Sequence, residues 1–300
     1  MSSLVRVADT FYTRAPGWGW LVVVYVFLGG LAGGAAFLAA MFDLFGAPQD
    51  RPMARLGYLV ALPAIIVGAP LLILDLTRPE RFWHMLIQSE THGIMLKWWS
   101  PISVGVWIIT FFGLFITLAV IGVLAERGTL PSALRALREG TLGGIVSAVT
   151  GLLGLSLAGY TGVLLAATNR PLWADTSLLG LLFLLSSISA GGAVMLLLGW
   201  RHGHPASLSW LGQMDVYSSL LELAALIILT VSLGSVAREI WDNVWGALLI
   251  VAVVAGILIP TALHWRPQLL GRLSVPSAAA LVLIGAFLLR TVVVLSSDRV

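Results

Sequence analysis

The 300-residue sequence contains no cysteine. Thiolate iron–sulfur clusters, cysteine zinc sites, disulfides and thiol nucleophiles are therefore excluded from this chain. Charge is nearly as scarce. The 17 basic and 14 acidic residues make up 10% of the chain, against roughly 25% in soluble domains. So few charges cannot cover a soluble protein of this size. The isoelectric point near 9.7 comes from a net charge of only +3. That is too thin for a phosphate-binding face, so nucleic acid is not expected as a partner. Histidine is sparse too, with five in the chain. A membrane di-haem protein needs paired histidines at mid-helix depth. His84, His92, His202 and His204 fall in loops and His264 at a span end, so no haem is expected.

What is abundant is apolar: 59% hydrophobic residues and a mean hydropathy of +0.98. The solvent for such a chain is lipid. A bilayer core of roughly 30 Å takes about 20 apolar residues per helix. Eight segments are that long, at about 18–45, 54–76, 101–125, 141–167, 176–200, 214–236, 243–264 and 274–296. Gly and Pro turns separate them, among them Gly46-Ala47-Pro48, Asn169-Arg170-Pro171 and Gly203-His204-Pro205. None shows the strict alternation of a membrane barrel strand. The polar first 17 residues carry Asp9, and the apolar run after them is too long for a signal h-region. It reads as a first span. The expected fold is an all-α integral membrane protein, a single membrane domain over 1–300. Gly29-Gly30-Leu31-Ala32-Gly33-Gly34 in span one and Ser189-Ala190-Gly191-Gly192-Ala193 in span five mark close helix contacts. Lying four spans apart, they also suit two four-helix bundles.

An even span count puts both termini on one face, side A, with the 77–100, 168–175 and 237–242 loops. Side B carries the loops near 46–53, 126–140, 201–213 and 265–273. Loop arginines and lysines divide equally, so the positive-inside rule does not choose. The excess of acids on side A favours side B as cytoplasmic. The chain is therefore expected as a multi-pass protein of the inner (plasma) membrane with extracytoplasmic termini.

Polar groups near the membrane are candidate sites. Asp75 ends span two, and Arg78, three residues on, would pair with it on a helical turn. Phe82 and Trp83 follow. Tyr160 lies about eight residues before Asn169, roughly 12 Å below side A by helical rise, and Tyr25 lies in the same half of span one. A phenol at that depth needs a hydrogen-bond partner, a backbone carbonyl or a quinone carbonyl. Glu222 is the carboxylate well inside a span. Asp215 shares its helix face, so a proton path from side B and a structural role both fit.

Tyr25–Ala40 (YVFLGGLAGGAAFLAA), Asp75–Leu86 (DLTRPERFWHML), Trp99–Gly105 (WSPISVG) and Asn169–Trp173 (NRPLW) resemble the NrfD-like family. These are the membrane subunits of polysulfide-reductase-type complexes. The resemblance implies a chain without its own redox cofactor that binds a quinone, menaquinone or ubiquinone. It implies a four-cluster ferredoxin-like iron–sulfur partner, usually joined to a molybdopterin subunit. Tyr160 matches a quinone-contacting tyrosine of the family. Tyr25 stands where relatives carry a histidine facing the quinone. The implied quinone site is Tyr25, Tyr160, Asp75 and Arg78, with Asp75 and Glu222 handling protons. Docking of the partner is expected on side A at Arg81, Trp83, Arg170 and Trp173. Such a subunit is quinone-reactive but not catalytic alone. The competing reading is a secondary transporter or ion conductor using Asp215 and Glu222. It calls for broken helices in related halves, and Pro63, Pro70 and Pro260 do not correspond in a four-plus-four duplication.

Overall fold

The computed structural model describes residues 18–170 and 172–297. Arg6, Asp9, Arg14, Asp298 and Arg299 of the charge count, and Pro171 of the 169–173 turn, lie outside them. Among the described residues, eight helical segments are long and apolar enough to cross a bilayer. The first six spans are α1 (Trp20–Phe45), α2 (Arg51–Leu74), α3 (Pro101–Glu126), α4 (Gly140–Ala166), α5 (Leu179–Gly199) and α6 (Pro205–Leu233). A short α7 (Ser235–Trp241) precedes the seventh span. That span is α8 (Val244–Val253), a π turn over Val254–Leu258, and α9 (Ile259–Trp265). The last is α10 (Ser274–Ser296).

One boundary differs in a way that matters. Apolarity alone starts the sixth span at 214, but α6 begins at Pro205. The proline suits the first helical position, and His204 Nδ1 caps the end by accepting from Ala206 N at 3.3 Å. The segment Pro205–Gln213 is helical but too polar to register as membrane. Asp215 thus lies ten residues into a helix, roughly 15 Å from its start, rather than at its mouth.

Helices α1–α4 pack together, as do α5, α6, α8–α9 and α10, and α1 and α5 join the two groups. The seam is built from missing side chains. A Cβ on Gly33 would overlap the Gly154 carbonyl of α4, and one on Gly34 the Ser187 carbonyl of α5. One on Gly191 would strike the Gly34 backbone. The two small-residue stretches of α1 and α5 are therefore each other's packing partners. Such contact lets dispersion replace the hydrophobic drive that lipid removes.

Charged side chains hold the side-B end. Arg138 Nη2 donates to Asp43 Oδ1 at 2.5 Å, and Arg55 Nε to Glu126 Oε2 at 2.8 Å. Arg138 Nε also lies 3.4 Å from Glu126 Oε1. This ties the 127–139 loop to α1, α2 and α3. At side A, Trp18, Arg170, Trp173 and Ser297 meet, so the two ends of the described chain lie on one face.

Gly34→Ala should lower the thermal midpoint of the purified protein in detergent, since overpacking costs about 1–3 kcal/mol. A Cβ on Gly113 meets nothing within 4 Å, so Gly113→Ala should melt at or above the wild-type temperature. Equal midpoints for the two variants would remove the seam from the account.

Candidate functional site

A cavity of about 440 Å³ opens at side A between α2, α3, α4 and the start of α1. Its walls are mostly apolar, from Val22, Leu72, Ile73, Val106, Ile109 and Leu164, with Phe82, Met85 and Leu86 of the 77–100 loop as a roof. That loop is pinned to α3. Trp107 Nε1 donates to the Met95 carbonyl at 3.1 Å, and Lys97 N to Ser103 Oγ at 3.0 Å. Besides Thr77 and Thr110, a phenol and a carboxyl reach the cavity, from α4 and from the end of α2. Tyr160 of α4 is mostly buried there and makes no hydrogen bond to another described residue. Its ring occupies the space a Cβ on Gly105 would take, which explains a glycine in that α3 position. Asp75, just past α2, is half-buried at the rim, and burial pushes its carboxyl above the usual aspartate range.

The other expected residues divide. Tyr25 is fully buried, within electrostatic reach of Tyr160, but does not line the cavity; its hydroxyl has no hydrogen-bond partner among the described residues. Arg78 is exposed and makes no ion pair with Asp75. The expected pair needed a continuing helix. Instead α2 ends at Leu74, and the Arg78 backbone (φ −135°, ψ 79°) leaves helical geometry. Arg81 and Trp83 are exposed on side A, Trp83 against His84 with ring centroids 3.8 Å apart.

Arg170 and Trp173 are buried, 6% and 0% exposed, which removes them from the surface where docking was expected. They clamp the end of α10. Trp173 Nε1 donates to the Val293 carbonyl at 2.7 Å, and Arg170 Nη1 to the Ser297 carbonyl at 3.3 Å. The guanidinium lies over the indole at 5.6 Å, and Trp18 stacks on Trp173 at 5.4 Å. Trp18 in turn lines the cavity, so the clamp supports one wall of it.

A second polar group lies deep in the other bundle. Glu222 and Asp215 are both buried on α6. Opposite Glu222 is Arg290 of α10, fully buried, which the loop charge count passes over because it lies inside a span. Arg290 Nη1 donates to Ser186 Oγ at 3.0 Å and to the Ala286 carbonyl at 2.9 Å, and Nη2 to Ser187 Oγ at 2.9 Å. Ser186 also hydrogen-bonds Glu222, bridging the two charges without a direct ion pair. A lone arginine inside an apolar run is the signal that could have found this group.

Fold and cavity define a multi-pass membrane protein with an apolar, acid-rimmed side-A pocket and buried charges near mid-membrane. A family model described as "Polysulphide reductase, NrfD" matches residues 10–299, and the chain belongs to that family. It is 29% identical over 275 residues to a polysulfide reductase component of Wolinella succinogenes, covering 81% of this chain and 84% of the relative. "Protein NrfD" of Escherichia coli is 28% identical over 63% of this chain and 61% of its own length. A selenate reductase component of Mesobacillus selenatarsenatis is 26% identical over 62% of this chain and 48% of its own. The chain thus spans about half to five-sixths of these relatives.

Trp173→Phe keeps an aromatic ring but removes the pyrrole half of the indole with its N–H, so the buried Val293 carbonyl loses that donor at a cost of about 1–3 kcal/mol, before any cavity left behind is counted. Its melting temperature in detergent should fall clearly below that of Trp83→Phe, which changes an exposed ring. No difference between the two would dissolve the clamp.

Proposed function

We propose that this chain is the membrane anchor and quinone-binding subunit of a redox complex. It exchanges electrons between the membrane quinone pool, menaquinone or ubiquinone, and an iron–sulfur partner joined to a molybdopterin or other catalytic subunit. The observation that carries this reading is the side-A cavity, where a phenol donor and a proton-exchanging carboxyl face the same apolar space. Pockets of about 300–1,000 Å³ with few convergent polar groups are typical ligand sites. A quinone ring and the first part of its tail suit 440 Å³.

Reducing a quinone to a quinol takes two electrons and two protons. Tyr160 donates a hydrogen bond to a ring carbonyl. Its phenol is a donor and not a proton source near neutral pH, where an unperturbed tyrosine stays protonated. Asp75 therefore carries the proton traffic. Its raised proton affinity lets it hold a proton at higher pH than an exposed aspartate, and its rim position opens it to side A. Tyr25 acts at one remove, packed behind Tyr160. Arg78 stands outside the cavity near its mouth. Electrons arrive across the 77–100 loop, whose outer surface is Arg81, Trp83, Ile94, Trp98 and Trp99, all exposed. An aromatic and basic surface of this kind suits a protein partner.

Losing one neutral hydrogen bond costs about 0.5–1.5 kcal/mol, so Tyr160→Phe should raise the quinone dissociation constant roughly 2- to 13-fold. Asp75→Asn should do more. Wild-type quinol turnover in membranes should change as pH rises through the elevated Asp75 pKa, and the amide should flatten that limb. Unchanged pH dependence and unchanged quinone affinity in assembled variants would move the pocket elsewhere.

Arg81→Glu combined with Trp83→Ala should reduce recovery of the iron–sulfur subunit in a pull-down while the membrane chain keeps its melting temperature. Arg170→Glu should lower that temperature instead, because its partners are internal. If the Arg81 and Trp83 variant retains its partner at moderate salt, the docking face lies away from this loop.

A further inference from the structure

A second cavity, of about 470 Å³, opens near the side-B ends of α6 and α9. Ser209, Gln213, Tyr217 and His264 give its wall polar atoms. His264 Nδ1 lies 2.9 Å from the Pro260 carbonyl. A carbonyl only accepts, so Nδ1 carries a proton, and in the neutral ring Nε2 holds the lone pair. That Nε2 is buried without a hydrogen-bond partner among the described residues, and a Cβ on Gly212 would lie 3.4 Å from it. Asp215, three residues beyond Gly212 on the same helix face, is the next ionisable group inward and within electrostatic reach of His264.

From Asp215 the polar groups continue as a single file. Ser189 Oγ donates to Asp215 Oδ1 at 2.5 Å and lies 3.1 Å from Ser219 Oγ. Glu222 is three residues past Ser219, and Ser186 is three residues before Ser189, so the next turn of both helices brings Glu222 and Ser186 together. Glu222 also borders a cavity of about 10 Å³ against Gly256 and Gly285, room for about one water. Ser218 is not part of the file, since its hydroxyl is engaged by the Met214 carbonyl. Charges acting on Glu222 are Arg290 from α10 and Asp215 from its own helix, and α5 adds hydroxyls only. The charge acting on Asp215 from a neighbouring helix is His264. Beyond Glu222 toward side A the helices present buried Leu182, Leu229 and Leu233, so the file ends at mid-membrane.

We propose that this file is a proton-conducting half-channel that joins side B to Glu222. His264 Nε2 takes a proton from solvent in the side-B cavity and passes it to the Asp215 carboxylate. Ser189 and Ser219 relay it, each hydroxyl giving one proton as it receives another. Glu222 receives the proton, and Arg290 holds the carboxylate when it leaves. No electron moves in these steps. The use of the path rests on the quinone reading: electrons entering from side A and protons drawn from side B would make turnover electrogenic. Its existence does not rest on that reading.

The test uses the full chain in liposomes, without quinone or partner, with orientation sorted by a terminal tag. A pH jump is applied to one side at a time while the infrared carbonyl stretch of protonated carboxyls is followed. The band lost in Glu222→Gln identifies the endpoint. It should respond to a side-B jump and not to a side-A jump. Asp215→Asn preserves the Ser189 bond, so it should fold, yet should slow the response about 10²-fold, the lower end of what a positioned proton-transfer group contributes. His264→Phe should slow it similarly. Equal response from side A, no response from either side, or wild-type rates in both variants would overturn the half-channel. Failure of the quinone pocket would leave all of these readings unchanged, and failure here would leave quinone binding unchanged.

Discussion

Gly30 has no side chain, and the space a Cβ would take there is filled by Ser187 Oγ and the Arg290 guanidinium. Gly105 is the same arrangement on the other side of the molecule, with the Tyr160 ring standing where its Cβ would be. In lipid, a polar or charged side chain must be enclosed by protein, because no water is present to solvate it. Enclosure requires volume, and in tightly packed helices that volume comes from residues without side chains. These glycines of α1 and α3 therefore do more than bring backbones together. They set where a guanidinium and a phenol can be held inside the membrane.

The two polar regions differ in how their charges meet. At the side-B surface, Arg138, Asp43, Glu126 and Arg55 face each other directly, and the charges close a loop onto three helices. In the interior, Arg290 meets Glu222 only through Ser186; each region keeps a buried guanidinium nitrogen without a hydrogen-bond partner among the described residues, Arg290 Nε here and Arg138 Nη1 there. A fully satisfied buried network rigidifies a protein, and a partly satisfied one carries a desolvation cost that stability alone does not reward. Both regions carry that cost, but the side-B charges offset it with direct ion pairs that tie down a loop, which the interior group lacks.

Eight spans, their order and the side-A grouping of Asp75 and Tyr160 were legible from apolar runs, Pro and Gly punctuation and helical rise. Four things were not. The start of α6 escaped because a capped, proline-initiated helix can begin well outside the apolar window, and the depth of Asp215 went with it. The Asp75–Arg78 pair was inferred from i,i+3 spacing, which holds only while the helix continues, and it ends at Leu74. Arg170 and Trp173 resembled surface anchors because they sit in a polar turn. Their burial depends on contacts with the end of α10 that span 120 and 127 residues of sequence, and local pattern carries no information about such contacts. Arg290 was visible as a letter but not as a site. Its meaning appears only with Ser186, Ser187 and Glu222 around it.

The transporter reading turns on helix continuity. Discontinuous helices in related positions of two halves are its structural signature. Pro63 and Pro70 both lie inside α2, yet the helix runs unbroken from Arg51 to Leu74. The irregular turn of the seventh span falls at Val254–Leu258, just before Pro260. A proline cannot donate to the carbonyl one turn back and its ring crowds that carbonyl. A wider π turn absorbs both effects, which accounts for this irregularity without an ion site. That turn also brings Gly256 against Gly285 beside Glu222, and π turns concentrate at functional positions. One irregular helix serving one buried carboxyl, with an unbroken counterpart in the first bundle, is an asymmetric device. It suits a protein that handles protons in one half and an apolar ligand in the other better than one that rocks two equivalent halves around a shared site.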